Sequence, residues 1–127
     1  MNKISRRLIA TAITIALLSS AIVQADSKSN RHPSTEDATL NLLLRTLQHD
    51  NVYVKRISLD CVTFDTEEKT NAYFEFALRE NHTAKCGGDP DTSPVVDRYR
   101  VYRGSGKIEW YDATANNWQR YDPAKIR

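Results

Sequence analysis

Leucines repeat at helical spacing in the first strongly amphipathic segment of the chain. Intervals of three and four residues place them on one stripe of a helix predicted over residues 35–48. Ser34 is in position to cap this helix, and Glu36 and Asp37 fall in its first turn, where the helix dipole favours negative charge. The apolar stripe consists of Leu40, Leu43, Leu44 and Leu47.

After the helix, the apolar period shortens to two residues, which is typical of half-buried strands. Residues 57–62 and 73–79 both alternate in this way. The polar stretch between them, residues 65–71, is predicted to be a hairpin loop. The three segments together predict the first hairpin of a sheet.

A second pair of alternating segments lies nearer the C terminus. Residues 98–102 and 107–111 flank a Gly-Ser-Gly turn at residues 104–106, so they predict a second hairpin. Residues 118–121 add a short last strand after a further polar turn. Four or five strands are therefore expected.

The segment between the two hairpins, residues 81–94, has almost no apolar side chains and is rich in glycine and proline. This composition excludes regular structure. It predicts the longest loop of the domain, and we call residues 81–94 the long loop. Loops of this length in small domains are often functional or held in place by other contacts.

The order helix, hairpin, long loop, hairpin predicts an α+β domain in which one N-terminal helix packs on an antiparallel sheet of four to five strands. One helix covers only one face of such a sheet, so the other face is expected to be solvated or to bind something. The predicted core beneath the leucine stripe consists of Leu59, Phe74, Phe76, Leu78, Val101, Ile108 and Trp110.

The N-terminal end of the chain has the features of a secretory signal peptide. A basic start precedes an apolar run of about 15 residues, which is shorter than the roughly 20 residues that span a bilayer. Small residues before the predicted cut place cleavage after Ala25, which leaves no membrane span and a periplasmic or secreted protein. The predicted organisation is a signal peptide at residues 1–25, a flexible lead at residues 26–33 and a single α+β domain at residues 34–127.

Charge and cysteine content narrow the classes of partner. The chain has 18 basic and 16 acidic residues, but three of the basic residues lie in the predicted signal peptide, which leaves 15 against 16 and a net charge of −1. This balance gives no case for nucleic acid or an anionic membrane as a partner. Cys61 and Cys86 are the only cysteines, and in an oxidising compartment they are predicted to form a disulfide.

The long loop and the start of the next strand contain residue types that could support chemistry. Asp89, Asp91 and Asp97 offer oxygen ligands for calcium, although the EF-hand pattern is absent. Ser93, His82 and Asp97 have the residue types of a hydrolytic triad, without a nucleophile elbow. Ordinary turn contacts also account for these residues. A small hydrolase or a calcium-dependent binder using residues 82–97 is therefore the alternative function.

Two further groups are weaker candidates. His82 and Cys86 supply only two of the three or four ligands that a protein zinc site needs. Glu75 and Glu109 form a carboxylate pair on paper, but both are expected on the outward face of the sheet. We therefore expect no enzymatic activity, no metal and no cofactor.

The outward face of the sheet is the surface that the sequence favours for function. Arginine and tyrosine dominate its predicted positions, and both are enriched at protein interfaces. Cross-strand pairs that only stabilise the sheet are the alternative interpretation. The candidate binding residues are Tyr73, Arg79, Arg98, Arg100, Tyr102 and Tyr111, with Asp89 and Asp91 of the long loop as a second contact.

These features predict an exported, non-catalytic binding module, inhibitor-like or immunity-like. Its expected partner is another envelope or extracellular protein, and the module is expected to be a monomer or a dimer. Nucleic acid is not expected as a partner.

Two segments resemble known groups of proteins. Residues 79–94, RENHTAKCGGDPDTSP, followed by Tyr99-Arg100-Val101, resemble a segment of small exported bacterial proteins of unknown function that share a CGGDPxTxP loop. This resemblance implies a periplasmic or secreted bacterial protein. Residues 99–108, YRVYRGSGKI, show a weaker similarity to the hairpin of PepSY-type domains, which implies inhibition of a protease or a sensory role outside the membrane.

Overall fold

A computed structural model describes residues 33–126 of the protein. The predicted signal peptide and residues 26–32 of the predicted lead lie outside the described residues. Within residues 33–126, no helix is both long and apolar enough to cross a membrane. The elements are α1 (Glu36–His49), β1 (Val62–Lys69), β2 (Tyr73–Glu80), β3 (Val95–Tyr102), β4 (Ile108–Asp112), β5 (Asn117–Arg120) and the short α2 (Pro123–Ile126).

The predicted helix is confirmed, with a small change at its start. Thr35 rather than Ser34 is the N-cap, and its hydroxyl accepts a hydrogen bond from the Ala38 amide at 3.2 Å. The buried face of α1 includes Thr39, which the leucine stripe does not contain, while Leu44 is only half-buried. The leucines of α1 that are buried or pack against the core are Leu40, Leu42, Leu43 and Leu47.

The five strands form one antiparallel sheet in the order β1-β2-β3-β4-β5, so each strand pairs with its neighbour in sequence. α1 packs on the central strands β2 and β3. This architecture confirms the predicted α+β fold, including the short fifth strand and the long loop between β2 and β3.

The first strand lies later in the chain than the sequence predicts. Residues 57–61 form irregular structure and a 3-10 helix, Leu59–Cys61, and β1 begins only at Val62. The predicted hairpin loop at residues 65–71 is therefore wrong, because most of it continues β1 as far as Lys69.

The reason is that β1 is an edge strand with little apolar surface. Its carboxylates pair with arginines: Asp65 lies 3.0 Å from Arg79, and Glu67 lies 2.7 Å from Arg98. Charged residues on an edge strand also protect it from pairing with other chains. The apolar residues before β1, Ile57 and Leu59, instead pack against the core from outside the sheet. Polar composition alone therefore suggested a loop where a strand exists.

The core lies between α1 and the inner face of the sheet. The predicted core residues of the sheet are confirmed as buried: Phe74, Phe76, Leu78, Val101, Ile108 and Trp110. Leu59 is half-buried against them. Burying one large apolar side chain contributes about 1.5–3 kcal/mol, so this layer supplies most of the stabilisation of the domain. Five buried apolar residues of the described range were not in the predicted core: Val52, Tyr53, Ala77, Tyr99 and Ile126.

A polar cluster occupies one end of this core, around the carboxylate of Asp97. Tyr53 donates to it at 2.7 Å, the Trp110 indole at 3.2 Å and the Arg56 guanidinium at 3.1 Å. Tyr53 also shares a hydrogen bond with the buried hydroxyl of Tyr99. Burial raises the pKa of both tyrosines, so their hydroxyls stay protonated and act as hydrogen-bonding groups. The cluster ties the turn after α1 to β3 and β4.

The predicted disulfide is present between Cys61 and Cys86, with a Cα–Cα distance of 5.5 Å. It joins the long loop to the 3-10 helix just before β1, rather than to a strand. The Asn81 amide also donates to the Cys61 carbonyl at 2.9 Å, so covalent and hydrogen bonds hold the same place.

Removing the disulfide should lower the free energy of unfolding by about 3–4 kcal/mol, because it closes a loop of 25 residues. The measurement is urea unfolding of the wild type with and without reductant. The double variant Cys61→Ser/Cys86→Ser should have the same free energy of unfolding as the reduced wild type, and reductant should not change it. Equal stability of the oxidised and reduced wild type would contradict the expectation.

Removing the Tyr53 hydroxyl should lower stability by about 1.5–3 kcal/mol, because Asp97 then loses one of its donors inside the core. Tyr53→Phe is the variant, and Tyr102→Phe is its matched control, since the Tyr102 hydroxyl also donates to a carboxylate but on the sheet surface. The control should cost less than about 1 kcal/mol. If urea unfolding shows equal losses of stability for Tyr53→Phe and Tyr102→Phe, burial does not increase the contribution of the hydrogen bond.

Candidate functional site

The side of the sheet opposite α1 brings six of the predicted binding residues together. Side chains alternate between the two faces of a strand, so the outward positions of all strands share one surface. Because α1 packs on the other side, we call this side the open face. It consists of Tyr73, Glu75, Arg79, Arg98, Arg100, Tyr102, Glu109, Tyr111, Trp118 and Arg120, with Asp65, Glu67 and Glu68 along the β1 edge and Lys107 before β4.

Ion pairs run across the strands of the open face at the β1 side. Arg79 contacts Asp65 at 3.0 Å and Glu67 at 3.1 Å, and it also donates to the Ser93 carbonyl at 3.3 Å. Arg98 donates through Nε to Glu67 at 2.7 Å. The hydrogen bond from Arg98 holds the pKa of Glu67 below its ordinary value, so this carboxylate is ionised at neutral pH.

Arg100 lies at the centre of the open face. Its Nε donates to Glu75 at 2.9 Å, and its guanidinium lies 4.5 Å from the ring centre of Tyr73 and 4.0 Å from that of Trp118. Cation–π contacts of this kind favour a planar guanidinium held in one orientation. Only 22% of the Arg100 side chain is exposed. The centre of the face is therefore built around one ordered arginine.

The arginines differ in how many of their N–H donors are already used. A guanidinium has five N–H donors. Within residues 33–126, Arg79 directs all three of its nitrogens to acceptors. Arg98 and Arg100 each make a hydrogen bond through Nε, and neither Nη group of Arg98 has a hydrogen-bond partner among these residues. With 38% of its side chain exposed, Arg98 presents these unused donors to solvent.

The tyrosines of the open face are fixed by neighbouring groups. Tyr73 donates to Glu68 at 2.8 Å, and Tyr102 donates to Glu109 at 2.8 Å. Each hydrogen bond to a carboxylate raises the pKa of the tyrosine concerned, which keeps the hydroxyl protonated. Tyr111 contacts the ring of Trp118 edge-on, with 5.2 Å between ring centres. These aromatic side chains are therefore ordered before any partner arrives.

Glu75 and Glu109, the carboxylate pair suggested by the sequence, flank Arg100 on the two neighbouring strands. Partial burial alone would raise the pKa of Glu109, but hydrogen bonds from Lys107 and Tyr102 hold it below its ordinary value. A general acid needs the opposite, a carboxyl that stays protonated near neutral pH. The arrangement is thus an ion-pair group around Arg100.

Asp89 and Asp91, the other two predicted binding residues, lie apart from this group in the exposed part of the long loop. The Asp91 amide donates to the Asp89 carboxylate at 3.0 Å, which is an ordinary turn contact. Asp97 belongs to the buried cluster with Tyr53 and Trp110. Asp97 is therefore separated from the other two aspartates of the suggested calcium site, which contact each other within one turn.

His82, Ser93 and Asp97 share no hydrogen bond within residues 33–126. His82 contacts the Glu80 carboxylate at 2.6 Å, and Ser93 donates to the Glu80 carbonyl at 2.8 Å. In the described part of the chain, no group of three or more His, Cys, Asp or Glu side chains is placed to hold a metal ion.

Sequence reasoning missed a surface region beside the helix end. The turn after α1 borders a depression of about 550 Å³ lined by Leu47, Ile57 and Leu59 on its apolar side. Val54 next to it is 75% exposed, the only large apolar side chain so exposed in the described range. The sequence signal for this turn is weak, because Val52-Tyr53 is too short an apolar stretch to assign to an element. Sequence reasoning also missed Trp118 as part of the open face, although the alternation of residues 118–121 places Trp118 there.

Comparison with protein families, with curated proteins and with solved structures finds no match to this chain.

Replacing Arg100 with lysine should lower stability by about 1–2 kcal/mol, since lysine keeps the charge but loses the Nε hydrogen bond and the planar contact with two rings. Arg120→Lys is the matched control: it is an exposed arginine on the same face, paired in register with Glu109. The control should change stability by no more than about 0.5 kcal/mol. Chemical unfolding of both variants tests this, and similar losses would contradict a special position for Arg100.

Proposed function

We propose that the protein is an exported, non-catalytic binding module whose open face contacts another protein of the cell envelope or the extracellular space. The observation that carries the proposal is the state of Arg98. Its side chain is 38% exposed and uses Nε to bind Glu67, which fixes the guanidinium while both Nη groups remain unused by residues 33–126. A carboxylate or a main-chain carbonyl of a partner can accept hydrogen bonds from these two Nη groups.

The aromatic side chains around Arg98 and Arg100 support the same proposal. Tyr102, Tyr111 and Trp118 are half-buried, and each has a ring or charged neighbour that restricts its rotation. Side chains that are ordered in the free protein lose little conformational entropy on binding. Tyrosine, tryptophan and arginine are also the residues that most often dominate binding energy at protein interfaces.

The balance of positive and negative side chains on the open face indicates the kind of partner. Cations and carboxylates alternate across the strands, so the face has no strong excess of either sign. Recognition would then depend on short-range hydrogen bonding and shape more than on long-range attraction. This favours a structured protein surface, as for an inhibitor-like or immunity-like module, over a polyanion.

The location in the proposal rests on three features. The predicted signal peptide at residues 1–25 favours export, and the disulfide is typical of proteins in an oxidising compartment. The resemblance of residues 79–94 to small exported bacterial proteins favours the periplasm or the medium. The oligomeric state in the proposal is a monomer or a dimer.

The two alternatives, a small hydrolase and a calcium-dependent binder using residues 82–97, lack a specific observation in their favour. Within the described range, Asp97 is committed to Tyr53, Arg56 and Trp110, so it is not available to either group of residues.

Truncating Arg98 should weaken binding to the partner by about 30-fold, which corresponds to about 2 kcal/mol at a central interface residue. The measurement has two steps: capture from an envelope extract on the immobilised protein, then titration of the captured protein against each variant by calorimetry. Arg98→Ala is the test variant. Arg98→Lys, which keeps the charge but loses the fork of donors, should bind nearly as poorly.

Arg45→Ala is the matched control, because Arg45 is exposed on α1, away from the open face. It should bind as the wild type does. Equal affinity of Arg98→Ala and the wild type, or a loss with Arg45→Ala as large as that with Arg98→Ala, would contradict the proposal. Urea unfolding of each variant checks that its fold is retained.

A further inference from the structure

His82 occupies the centre of the long loop, with only 11% of its side chain exposed. Its Nε2 lies 2.6 Å from the Glu80 carboxylate at the end of β2. Its Nδ1 lies 2.7 Å from the Asp89 carbonyl and 3.2 Å from the Thr92 hydroxyl. The ring therefore connects the last residue of β2 to the far side of the loop.

Both ring nitrogens of His82 face acceptors. The Glu80 carboxylate can only accept when it is ionised, and the Asp89 carbonyl always accepts. The Thr92 hydroxyl donates to the same carbonyl at 3.0 Å, so its lone pair is what it presents to Nδ1. A neutral imidazole carries one N–H and would place a lone pair against one of these oxygens. With Glu80 ionised, these contacts favour the imidazolium form, which carries a proton on each nitrogen.

The backbone of the loop is shaped to receive this ring. Gly88 has a φ of +88°, and a Cβ built on it would lie 2.5 Å from the Cδ2 atom of His82. Gly87 beside it also has a positive φ, of +75°. Glycine adopts such conformations at no steric cost. The chain thus passes close to the ring at Gly88, two residues after Cys86, where the disulfide anchors it.

We propose that the long loop is a proton-controlled element, held closed by doubly protonated His82 and released between Cys86 and β3 when the ring loses a proton. The disulfide confines the change, because Cys86 stays attached to Cys61 in both states. The segment that opens contains Asp89 and Asp91, so the protonation of His82 controls the position of these two carboxylates. The inference concerns the loop itself and does not depend on the proposed binding function.

The charged groups that face the ring favour the closed state at low pH. The hydrogen bond to Glu80, and then that to the Asp89 carbonyl, raise the pKa of His82 above its ordinary value, with partial burial acting against them. The charge of the Asp89 carboxylate, which accepts from the Asp91 amide, also raises the pKa of His82. Lys85 points away from the ring and lies 3.4 Å from Asp60.

The direction of the pH dependence follows from this raised pKa. Protonation then stabilises the closed loop fully below about pH 6.5, the ordinary value for histidine. The stabilisation is lost as the pH rises through the higher value of the closed state.

The test is NMR on the disulfide-intact protein between pH 5 and pH 9, following the His82 ring and the backbone amides together. The ring should titrate above pH 6.5, and amides of residues 87–93 should titrate with the same midpoint, while those of β2 and β3 beneath α1 should not. Hydrogen exchange gives a second readout at Gly87 and Thr92, whose amides donate to Thr83 and Asp89 at 2.8 and 3.0 Å. Their protection factors should fall about tenfold for each pH unit that separates the ring's pKa in the closed loop from that in the open loop.

His82→Gln should remove the titration of the loop amides and leave the loop open at every pH. His49→Gln is the matched control, since His49 also lies beside a carboxylate, that of Asp50, but is 87% exposed. It should keep the loop titration unchanged. Gly88→Ala, which displaces the ring, should give the open loop at both ends of the pH range.

The proposal would be overturned by a His82 ring that titrates at or below pH 6.5, by loop amides that do not follow the ring, or by loop amides that still titrate in His82→Gln. Titration of core amides together with the loop would also overturn it, because the change would then be global.

Discussion

The alternation of side chains on the two central strands is the constraint on which the rest of the structure depends. On β2 and β3 it directs Phe74, Phe76 and Val101 towards α1, and directs their neighbours to the other side. Among residues 33–126, only α1 is long enough to cover a sheet face, so within this range the second face has to satisfy its polar groups without a covering layer. The ion pairs and tyrosine hydrogen bonds of the open face do this. The same residues therefore stabilise the sheet and form the candidate binding surface.

The long loop shows how a polar segment is ordered without a core of its own. Three contacts hold it at different points. They are the disulfide at Cys86, the hydrogen bonds of the two ring nitrogens of His82, and the hydrogen bond from the Ser93 hydroxyl to the Glu80 carbonyl. Few apolar contacts are available there, so each of these bonds has a large share in ordering the loop. A loop held in this way responds to redox and protonation conditions that leave an apolar core unchanged.

The sequence predicted the elements whose apolar pattern was set by the core, and it failed where other interactions decided the structure. The leucine helix, β2 and the second hairpin face the core, so their periods of 3.6 and two residues are visible. β1 is held by carboxylate–arginine pairs at the sheet edge, which look like a polar loop in sequence. The site followed the same rule: alternation placed the open-face residues together, whereas no periodic pattern marks the partners of Asp97 and His82. Those of Asp97 include the distant Tyr53 and Arg56. Those of His82 lie in the long loop and at the end of β2.

A surface that also binds a partner differs from one that only stabilises the sheet, because some of its arginine N–H donors are not used by neighbouring residues. Every nitrogen of Arg79 already contacts an acceptor, namely Asp65, Glu67 or the Ser93 carbonyl, so this arginine mainly stabilises the sheet. Arg98 is anchored through Nε, and its Nη groups meet no acceptor among residues 33–126. Since Glu67 already offsets part of its charge, removing water from Arg98 costs less than it would for an isolated guanidinium. An anchored, partly neutralised donor of this kind gives a partner carbonyl or carboxylate a fixed point to bind.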